Sequence, residues 1–404
     1  MDDRVFEVLF KRVCSVVEAL QPFTLETADI HRMWFGPRGF FLLSPKGVEG
    51  RVDLVRHALR YADWAQKFSA EYLNTRLRDI IEIHATQGAD QAKHALRSLV
   101  AELEAYAEEH TVYLPIFGIA IPDAPTREFG GIVLHQATTA FLQRIAAEQS
   151  FDAPYVKRQT DAEVWAEVRV TAEPTHAVVR AEERCTALID TLRFWMACMT
   201  PKGTPCAIGL QGDVVTTERP RIIFNNESGA KRFDPHRSRR IPGFPLTQDV
   251  LKALQHERLD AIAALIDTPA KQQTAFDKLL LHALHVFGNG KVQAAAPDRF
   301  LNLVTCLETF LSTGEGNITQ NVAEGVVMFF AVHVSERIRL KKELQRLYKI
   351  RSKLSHGEHA ATVPEDLYLL EDLVKSFLLA MIEHRDQFRS KQDLLTMLEQ
   401  ERLS

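Results

Sequence analysis

The sequence predicts an α+β protein in which a mixed helix and strand region is followed by an all-α C-terminal helical bundle. Short segments of alternating apolar and polar residues, such as residues 163–172, occur only in the first part of the chain. From Gln248 onward, apolar residues recur with the period of an α-helix. We therefore expect a mixed region over residues 1–243, of regulatory or sensing role, and a helical domain over residues 246–404.

The first region is predicted to alternate between helices and strands. The apolar pattern predicts helices over residues 4–20, 52–86, 90–109 and 176–199, with Asp90 as the N-cap of the third. Strands are expected over residues 111–122, 130–136, 163–172, 208–211 and 221–224. The sequence Gly-Pro-Arg-Gly at residues 36–39 predicts a turn, and residues 225–245 are typical of a linker.

The second region is predicted to be helical throughout. Thr247 is a candidate N-cap, and the helices are expected over about 248–266, 271–287, 298–313, 319–333, 335–355, 364–388 and 390–402. Residues 288–291 read Gly-Asn-Gly-Lys and lack the Ser or Thr that follows the lysine of a phosphate-binding loop. We therefore expect a turn at this position.

Charge is distributed unevenly along the chain. The formal net charge of −4 excludes a protein that binds nucleic acid nonspecifically through its overall charge. Residues 336–353, however, carry eight basic side chains against two acidic ones, so this segment is +6 and the remainder is −10. If a polyanionic partner binds, this segment is the expected place, although residues 231–240 contain a second basic cluster that is either a solvated connection or an RNA contact.

Five scattered cysteines without a Cys-x-x-Cys pair indicate a reducing compartment, and we expect a cytoplasmic protein. The first residues lack the pattern of a signal peptide, and the longest apolar run is about half of what a membrane span needs. We expect no membrane association. His282 and His285 have no evident carboxylate or cysteine companion, so we expect no metal and no cofactor.

Arg351 interrupts an apolar helical stripe. Leu340, Leu344, Leu347 and Leu354 follow the helical period, and position 351 falls on the same stripe. Because an unpaired buried charge is costly, Arg351 must face a partner or a ligand. Glu308 lies in another apolar helical segment and is a candidate partner that either orients the arginine or neutralises it. A structural salt bridge, with His356 as a polar helix cap, is the alternative interpretation.

Arg351 and His356 are suited to cleaving RNA without a metal ion. Histidine transfers protons near neutral pH, and the arginine fork stabilises a pentavalent phosphorane. Residues five apart on a helix differ by about 140°, so His356 must lie at the helix end, where Gly357 would act as the C′ glycine. We assign Arg351 and His356 the catalytic roles. The hydroxyl-bearing Ser352 and Ser355 take supporting roles, as does Glu308.

A basic stripe accompanies the apolar one on the same predicted helix. Its members are spaced alternately three and four residues apart, which places them on one face. They are Arg339, Lys342, Arg346, Lys349 and Lys353. The stripe is either an RNA-binding surface or an ordinary solvated helix face.

The motif order over about residues 270–390 resembles the HEPN superfamily, and within it the group called Apea-like HEPN. The segment Leu-Val-Thr-Cys-Leu-Glu-Thr-Phe-Leu at 303–311 is similar to that group's apolar helix with an "ALE" core. A Gly-Glu-Gly turn at 314–316 and an apolar helix at 323–332 follow. Residues 347–357 then resemble the ending "LYxxRxxxxHG". The resemblance covers about a third of the chain.

This resemblance implies a metal-independent endoribonuclease that acts as a homodimer, with both Arg/His motifs lining a shared cleft. It also implies a setting of antiviral defence or toxin-like RNA cleavage, in which the N-terminal region responds to a regulatory protein or a phage-derived trigger. The chain departs from the family pattern at Ser352, because many active members have Asn, Asp or His directly after the arginine. This departure favours the alternative, a noncatalytic HEPN module that binds RNA, a nucleotide or a protein partner.

Overall fold

Contacts between residues divide the chain into two units, one formed by Met1–Val112 with Arg169–Glu182 and the other by Tyr113–Val168 with Glu183–Ser404. The predicted division near residues 243–246 lies inside the second unit. The computed structural model describes residues 3–21, 32–61, 64–148, 162–204, 206–210, 221–224, 231–234, 243–256, 259–293, 295–313, 318–330, 333–356 and 363–403.

The first unit is mainly helical and contains a small antiparallel sheet. Its helices are α1 (Asp3–Glu18), α2 (Pro45–Leu59), α3 (Trp64–Lys67), α4 (Ala70–Gln87) and α5 (Ala89–Tyr106). Its strands are β1 (Leu20–Gln21), β2 (Met33–Gly36) and β3 (Gly39–Leu43), in the order β1-β3-β2.

Local sequence explains where these elements begin and end. The apolar period of α1 buries Phe6, Leu9 and Val13 in the core of the unit. Ser44 and Ser69 accept hydrogen bonds from backbone amides in the first turns of α2 and α4, as N-cap residues do. The predicted turn at 36–39 is confirmed, because Gly36 pairs with Gly39 where β2 meets β3.

Two predictions for this unit are wrong. The helix expected over 52–86 is several helices, because the chain leaves helical geometry after Leu59 and again before Ser69 caps α4. Asp90 does not cap α5; Gly88, with a φ of 93°, occupies the N-cap and Asp90 lies in the first turn. A glycine adopts this positive φ without the steric cost that a residue with a Cβ would meet.

A five-stranded sheet has the strand order β6-β7-β8-β4-β9, and most of its residues belong to the second unit. Strands β6 and β7 form a hairpin with Phe129 opposite Ile132, and Gly130 and Gly131 at its tip have φ values of 51° and 66°. Positive φ at both central residues is the geometry of a type I′ turn. The strands are β4 (Glu108–Phe117), β6 (Thr126–Phe129), β7 (Ile132–Gln136), β8 (Val164–Ala172) and β9 (Gly209–Leu210).

Short strand pairs complete the β structure. Strand β5 (Ile119–Ala120) is parallel to β12 (Phe244–Pro245). Strand β10 (Arg221–Phe224) is antiparallel to β11 (Lys231–Asp234), so part of the predicted linker is a strand. The remaining linker positions 225–230 and 235–242 lie outside the described residues.

The remaining elements of the chain are mainly helices, which confirms the α+β class and the helical C-terminal region. Thr247 accepts a hydrogen bond from the amide of Val250, as predicted for an N-cap. The helices are α6 (Thr139–Glu148), α7 (Pro174–Met199), α8 (Gln248–His256), α9 (Leu259–Asp267), α10 (Ala275–Val292), α11 (Ala296–Leu311), α12 (Ile318–Phe330), α13 (Val334–Ser355), α14 (Pro364–Glu383) and α15 (Lys391–Leu403).

The turn predicted at residues 288–291 is wrong, because α10 continues to Val292. A Cβ added at Gly288 would lie 2.5 Å from Asp190 Oδ1, so glycine permits a close approach between α10 and α7. Lys291 is buried, and its ammonium lies 2.9 Å from Glu371 Oε1 on α14. Tertiary packing therefore outweighs the low helix propensity of two glycines.

Helix α11 lies at the centre of the C-terminal helices. Phe310 packs edge-on against Phe377 of α14, with ring centroids 5.5 Å apart, and Cys306 is fully buried. Helix α13 contributes Leu344, Leu347 and Tyr348 to the buried interior. Within the described residues, no helix combines the length and apolarity that a membrane crossing requires.

Candidate active site at the end of helix α13

Arg351 lies near the C-terminal end of α13 and pairs with Glu308 of α11. Its Nη2 atom is 3.3 Å from each carboxylate oxygen of Glu308 and donates a hydrogen bond to Oε2. The arginine side chain is 35% exposed, whereas the glutamate side chain is 16% exposed. The predictions that Arg351 needs a partner and that Glu308 can provide one are confirmed. Among the described residues, no acceptor is found for Nε or Nη1 of Arg351, and the side chain remains partly exposed.

Tyr348 is a third member of this cluster that sequence reasoning missed. It lies one helical turn before Arg351 and is buried, which raises the pKa of its hydroxyl, as does the negative charge of Glu308. The hydroxyl has no well-aligned hydrogen bond within the described part of the chain, although it lies within electrostatic reach of the carboxylate. The spacing of three residues was the available signal, because such residues share a helix face.

His356 follows the last helical residue, as the angular argument predicted. Helix α13 ends at Ser355, and the amide of His356 donates to the carbonyls of Ser352 and Lys353, each at 3.2 Å. The imidazole is exposed and forms no hydrogen bond with any described residue. It is therefore accessible for proton transfer. Gly357, the predicted C′ residue, lies outside the described residues.

Ser352 and Ser355 differ in whether their hydroxyl groups are already hydrogen-bonded within the chain. The Ser355 hydroxyl donates to the carbonyl of Ser352 at 2.9 Å, a bond that closes the last turn of α13. The side chain of Ser352 is exposed next to Arg351 and has no hydrogen-bond partner among the described residues. Of the two, only Ser352 has a hydroxyl free to meet a ligand.

All five members of the predicted basic stripe are exposed. Arg346 is nevertheless engaged, because its guanidinium lies 2.6 Å from Asp366 and 2.9 Å from Glu343. The hydrogen bond to Asp366, followed by that to Glu343, raises the pKa of Arg346. Within the described chain, the other four form no ion pair; they are Arg339, Lys342, Lys349 and Lys353. The stripe thus combines four available cations with one structural arginine.

A cavity of about 1240 Å³ lies among α11, α12, the start of α13 and α15. Glu308 lines it, together with apolar residues such as Leu311, Met328 and Leu395, but Arg351 and His356 do not. Glu324 at its wall pairs with Lys341 at 2.9 Å and with Arg402 at 3.2 Å. Glu308 therefore lines this cavity and also pairs with the partly exposed Arg351.

The prediction that His285 lacks a carboxylate companion is wrong. Its Nδ1 atom is 2.7 Å from Oδ2 of Asp190, a residue of α7 that is almost fully buried. Asp190 also pairs with Arg193 at 3.0 Å. The two partners are 95 residues apart in sequence, and only the packing of α10 on α7 brings them together. Among the described residues, no group of three or more His, Cys, Asp or Glu side chains is arranged to hold a metal ion.

Comparison with models of protein families, with curated proteins and with solved structures yields no match. The chemistry of the site is therefore inferred from its residues and their geometry.

Proposed function

We propose that the C-terminal helices form a HEPN-type domain that cleaves RNA without a metal ion, two chains contributing Arg351 and His356 to a shared cleft. The observation that carries the proposal is the state of Arg351. Its guanidinium is anchored through one nitrogen to a largely buried carboxylate, while the side chain stays about one third exposed near the end of a basic helix. An exposed histidine follows five residues later.

The arrangement suits an attack of the RNA 2′-hydroxyl on the adjacent phosphate. Arg351 can donate its free N–H groups to the non-bridging oxygens, whose negative charge grows in the phosphorane. His356 can remove the hydroxyl proton or protonate the departing 5′-oxygen, because imidazole exchanges protons near neutral pH. The products would be a 2′,3′-cyclic phosphate and a 5′-hydroxyl.

A single Arg/His pair provides only one proton-transfer group, whereas the reaction needs both a base and an acid. A second copy of the chain would provide the other, which is the arrangement that the resemblance to HEPN ribonucleases implies. Four cations of α13 have no acidic partner among the described residues, and an exposed cation of this kind can neutralise a phosphate. They therefore favour an RNA strand that leads toward the Arg/His pair. Antiviral defence or toxin-like cleavage, released by a regulatory protein or a phage-derived trigger, is the corresponding biological setting.

A noncatalytic module that binds RNA, a nucleotide or a protein is the second candidate. Two observations favour it. Ser352 replaces the Asn, Asp or His that many active HEPN enzymes have after the arginine. The pairing with Glu308 also offsets part of the positive charge on Arg351. In this case the exposed cations would bind a polyanion without cleaving it.

The deciding experiment is cleavage of a mixed tRNA and mRNA pool in EDTA, with product ends identified. Wild-type protein should release 2′,3′-cyclic phosphate ends, and the double variant Arg351→Ala/His356→Ala should not. His333→Ala is the matched control, because His333 is an exposed residue at the opposite end of α13 and should be dispensable. RNA binding without cleavage by any of the three proteins would favour the binding module.

The role of Glu308 can be tested in the same assay. If the carboxylate orients Arg351, Glu308→Gln should lower the cleavage rate by up to about 100-fold, because a small displacement of a catalytic group has effects of that size. If the carboxylate merely neutralises the arginine, the same change should leave the rate unchanged or raise it. A urea titration of the variant would show whether folding is preserved.

A further inference from the structure

The first unit contains a buried polar pair that its surroundings do not satisfy. The indole nitrogen of Trp34 on β2 donates to Glu82 Oε1 of α4 at 2.8 Å, and the two residues are only 5% and 2% exposed. A Cβ added at Gly36 would lie 1.8 Å from the same carboxylate oxygen, so glycine leaves room for it. The other oxygen, Oε2, is buried and has no hydrogen-bond partner among the described residues.

Three arginines from different elements surround this pair. Arg38, in the turn between β2 and β3, lies 3.9 Å from Glu82 Oε2. The guanidinium carbons of Arg51 on α2 and Arg78 on α4 lie 5.8 Å and 5.2 Å from the centre of the Trp34 ring. Within the described chain, Glu82 is the only acidic residue in contact with the group. Three positive charges therefore face one negative charge, which leaves a surplus of two.

The surplus charge is partly withdrawn from water. The Nε atom of Arg78 is buried and has no hydrogen-bond acceptor in the described chain. Burial, and then the positive charge of Arg78, lower the pKa of Arg51. Arginine nevertheless keeps its proton at neutral pH, so the two guanidinium groups repel each other. Buried unsatisfied donors are rare in native proteins, and a bound ion is one of the recognised reasons for them.

We infer that Arg38, Arg51 and Arg78 form a binding site for a phosphate group, either free or as a monoester. A phosphate dianion matches the surplus of two charges, whereas a carboxylate would neutralise only one. Its oxygens accept pairs of N–H bonds from guanidinium forks, and the terminal nitrogens of the arginines can donate them. The cation–π contacts with Trp34 hold two of the three forks in place before the ligand arrives, which reduces the entropy lost on binding. This site is independent of the proposed nuclease.

The test is isothermal titration of the full chain with inorganic phosphate, with adenosine 5′-monophosphate and with adenosine, at ionic strength held constant with sodium chloride. Saturable binding of either phosphate compound, with no binding of adenosine, is the expected result. Tighter binding of the nucleotide would identify the phosphate as part of a larger ligand, and tighter binding of inorganic phosphate would identify the free ion. The absence of any saturable heat with both compounds would overturn the inference.

Variants make the test specific to the three arginines. Arg51→Gln and Arg78→Gln should each weaken phosphate binding at least about tenfold, because each removes a charge-assisted contact. Arg56→Gln is the matched control, since Arg56 is an exposed arginine of α2 that pairs with Asp53. Its affinity should equal that of the wild type.

Glu82→Gln separates a ligand site from a merely structural cluster. The amide oxygen can still accept from Trp34, and the loss of the carboxylate raises the surplus charge from two to three. Phosphate should therefore bind more tightly to this variant even if the variant unfolds at a lower temperature. Equal or weaker binding by a variant that circular dichroism shows to be folded would contradict the proposed site.

Discussion

At the residue scale, the contact between His285 and Asp190 shows how burial and hydrogen bonding change the pKa values of two side chains. Asp190 is almost fully buried, and burial raises its pKa above the ordinary range. The hydrogen bond that His285 donates to Asp190 raises the pKa of His285, against the opposing effects of desolvation and of Arg193. Asn289 contacts the other ring nitrogen at 2.9 Å. Both raised values mean that the folded chain binds protons more tightly than the unfolded chain does.

This pair predicts that stability decreases as the pH rises. The contribution of His285 is fully present below its unfolded pKa of about 6.5 and is lost as the pH rises through its raised folded value. Asp190 acts in the same direction, since its folded pKa is also raised. Urea titrations at pH 6 and pH 8 should show a loss of stability in the wild type that is smaller in His285→Asn. The exposed His333→Asn should behave like the wild type; an equal loss in all three proteins would exclude the pair as the cause.

At the element scale, we expect the substitution of glycine by alanine to have opposite effects on stability at two helical positions. Gly50→Ala in α2 should stabilise the protein by about 0.5–1 kcal/mol, because the new Cβ would lie at an ordinary 3.5 Å from Val16 and alanine favours the helix. Gly288→Ala in α10 should destabilise it, because the Cβ would lie 2.5 Å from Asp190 Oδ1 and 3.2 Å from Arg193 Cδ. Urea unfolding midpoints would measure both. A higher unfolding midpoint for Gly288→Ala would mean that α7 and α10 can move apart with little loss of stability.

The basic stripe of α13 leads to a prediction about RNA binding that can be tested without measuring cleavage. Lys349 is exposed and has no acidic partner among the described residues, whereas Arg346 is held by Asp366 and Glu343. If RNA phosphates lie along this face, Lys349→Gln should reduce the slope of log affinity against log salt by about one. Arg346→Gln, the matched control, should change the slope less. Fluorescence anisotropy at several salt concentrations would measure both, and equal slopes in the wild type and Lys349→Gln would place the RNA elsewhere.

Elements with a strong apolar period could be predicted from the sequence. Contacts between side chains from distant segments could mostly not be predicted. The pairing of Glu308 with Arg351 could be predicted from the sequence, because each is a single charged residue in an apolar helical stripe. A buried charge is costly unless an opposite charge pairs with it. The pairs His285–Asp190 and Lys291–Glu371 carry no such signal, since their partners lie 95 and 80 residues away. The strands β2 and β3 were missed because their short sequences, such as Gly-Phe-Phe-Leu-Leu, do not alternate in polarity.

At the scale of the whole molecule, the distribution of charge and the division of the chain bear on function. Residues 336–353 carry +6 while the remainder carries −10, so the basic face of α13 is exceptional within an acidic protein. Long-range attraction of RNA is therefore weak, and contact depends on the local stripe. The α+β class followed from apolar periods alone. That residues 169–182 belong to the first unit could not be predicted, because the apolar period of a segment does not show which unit the segment packs against.

The proposed shared cleft predicts that inactive subunits suppress active ones. If catalysis needs the Arg/His pairs of two chains, a ninefold excess of Arg351→Ala/His356→Ala should lower the activity of a fixed amount of wild type about tenfold, since most wild-type chains then pair with inactive ones. The assay should use saturating RNA after overnight subunit exchange. Inactive protein added immediately before the assay is the control for competition, and it should leave the initial rate unchanged. Unchanged activity after full exchange would mean that each chain acts alone, and His356 would then need a second proton-transfer group within its own chain.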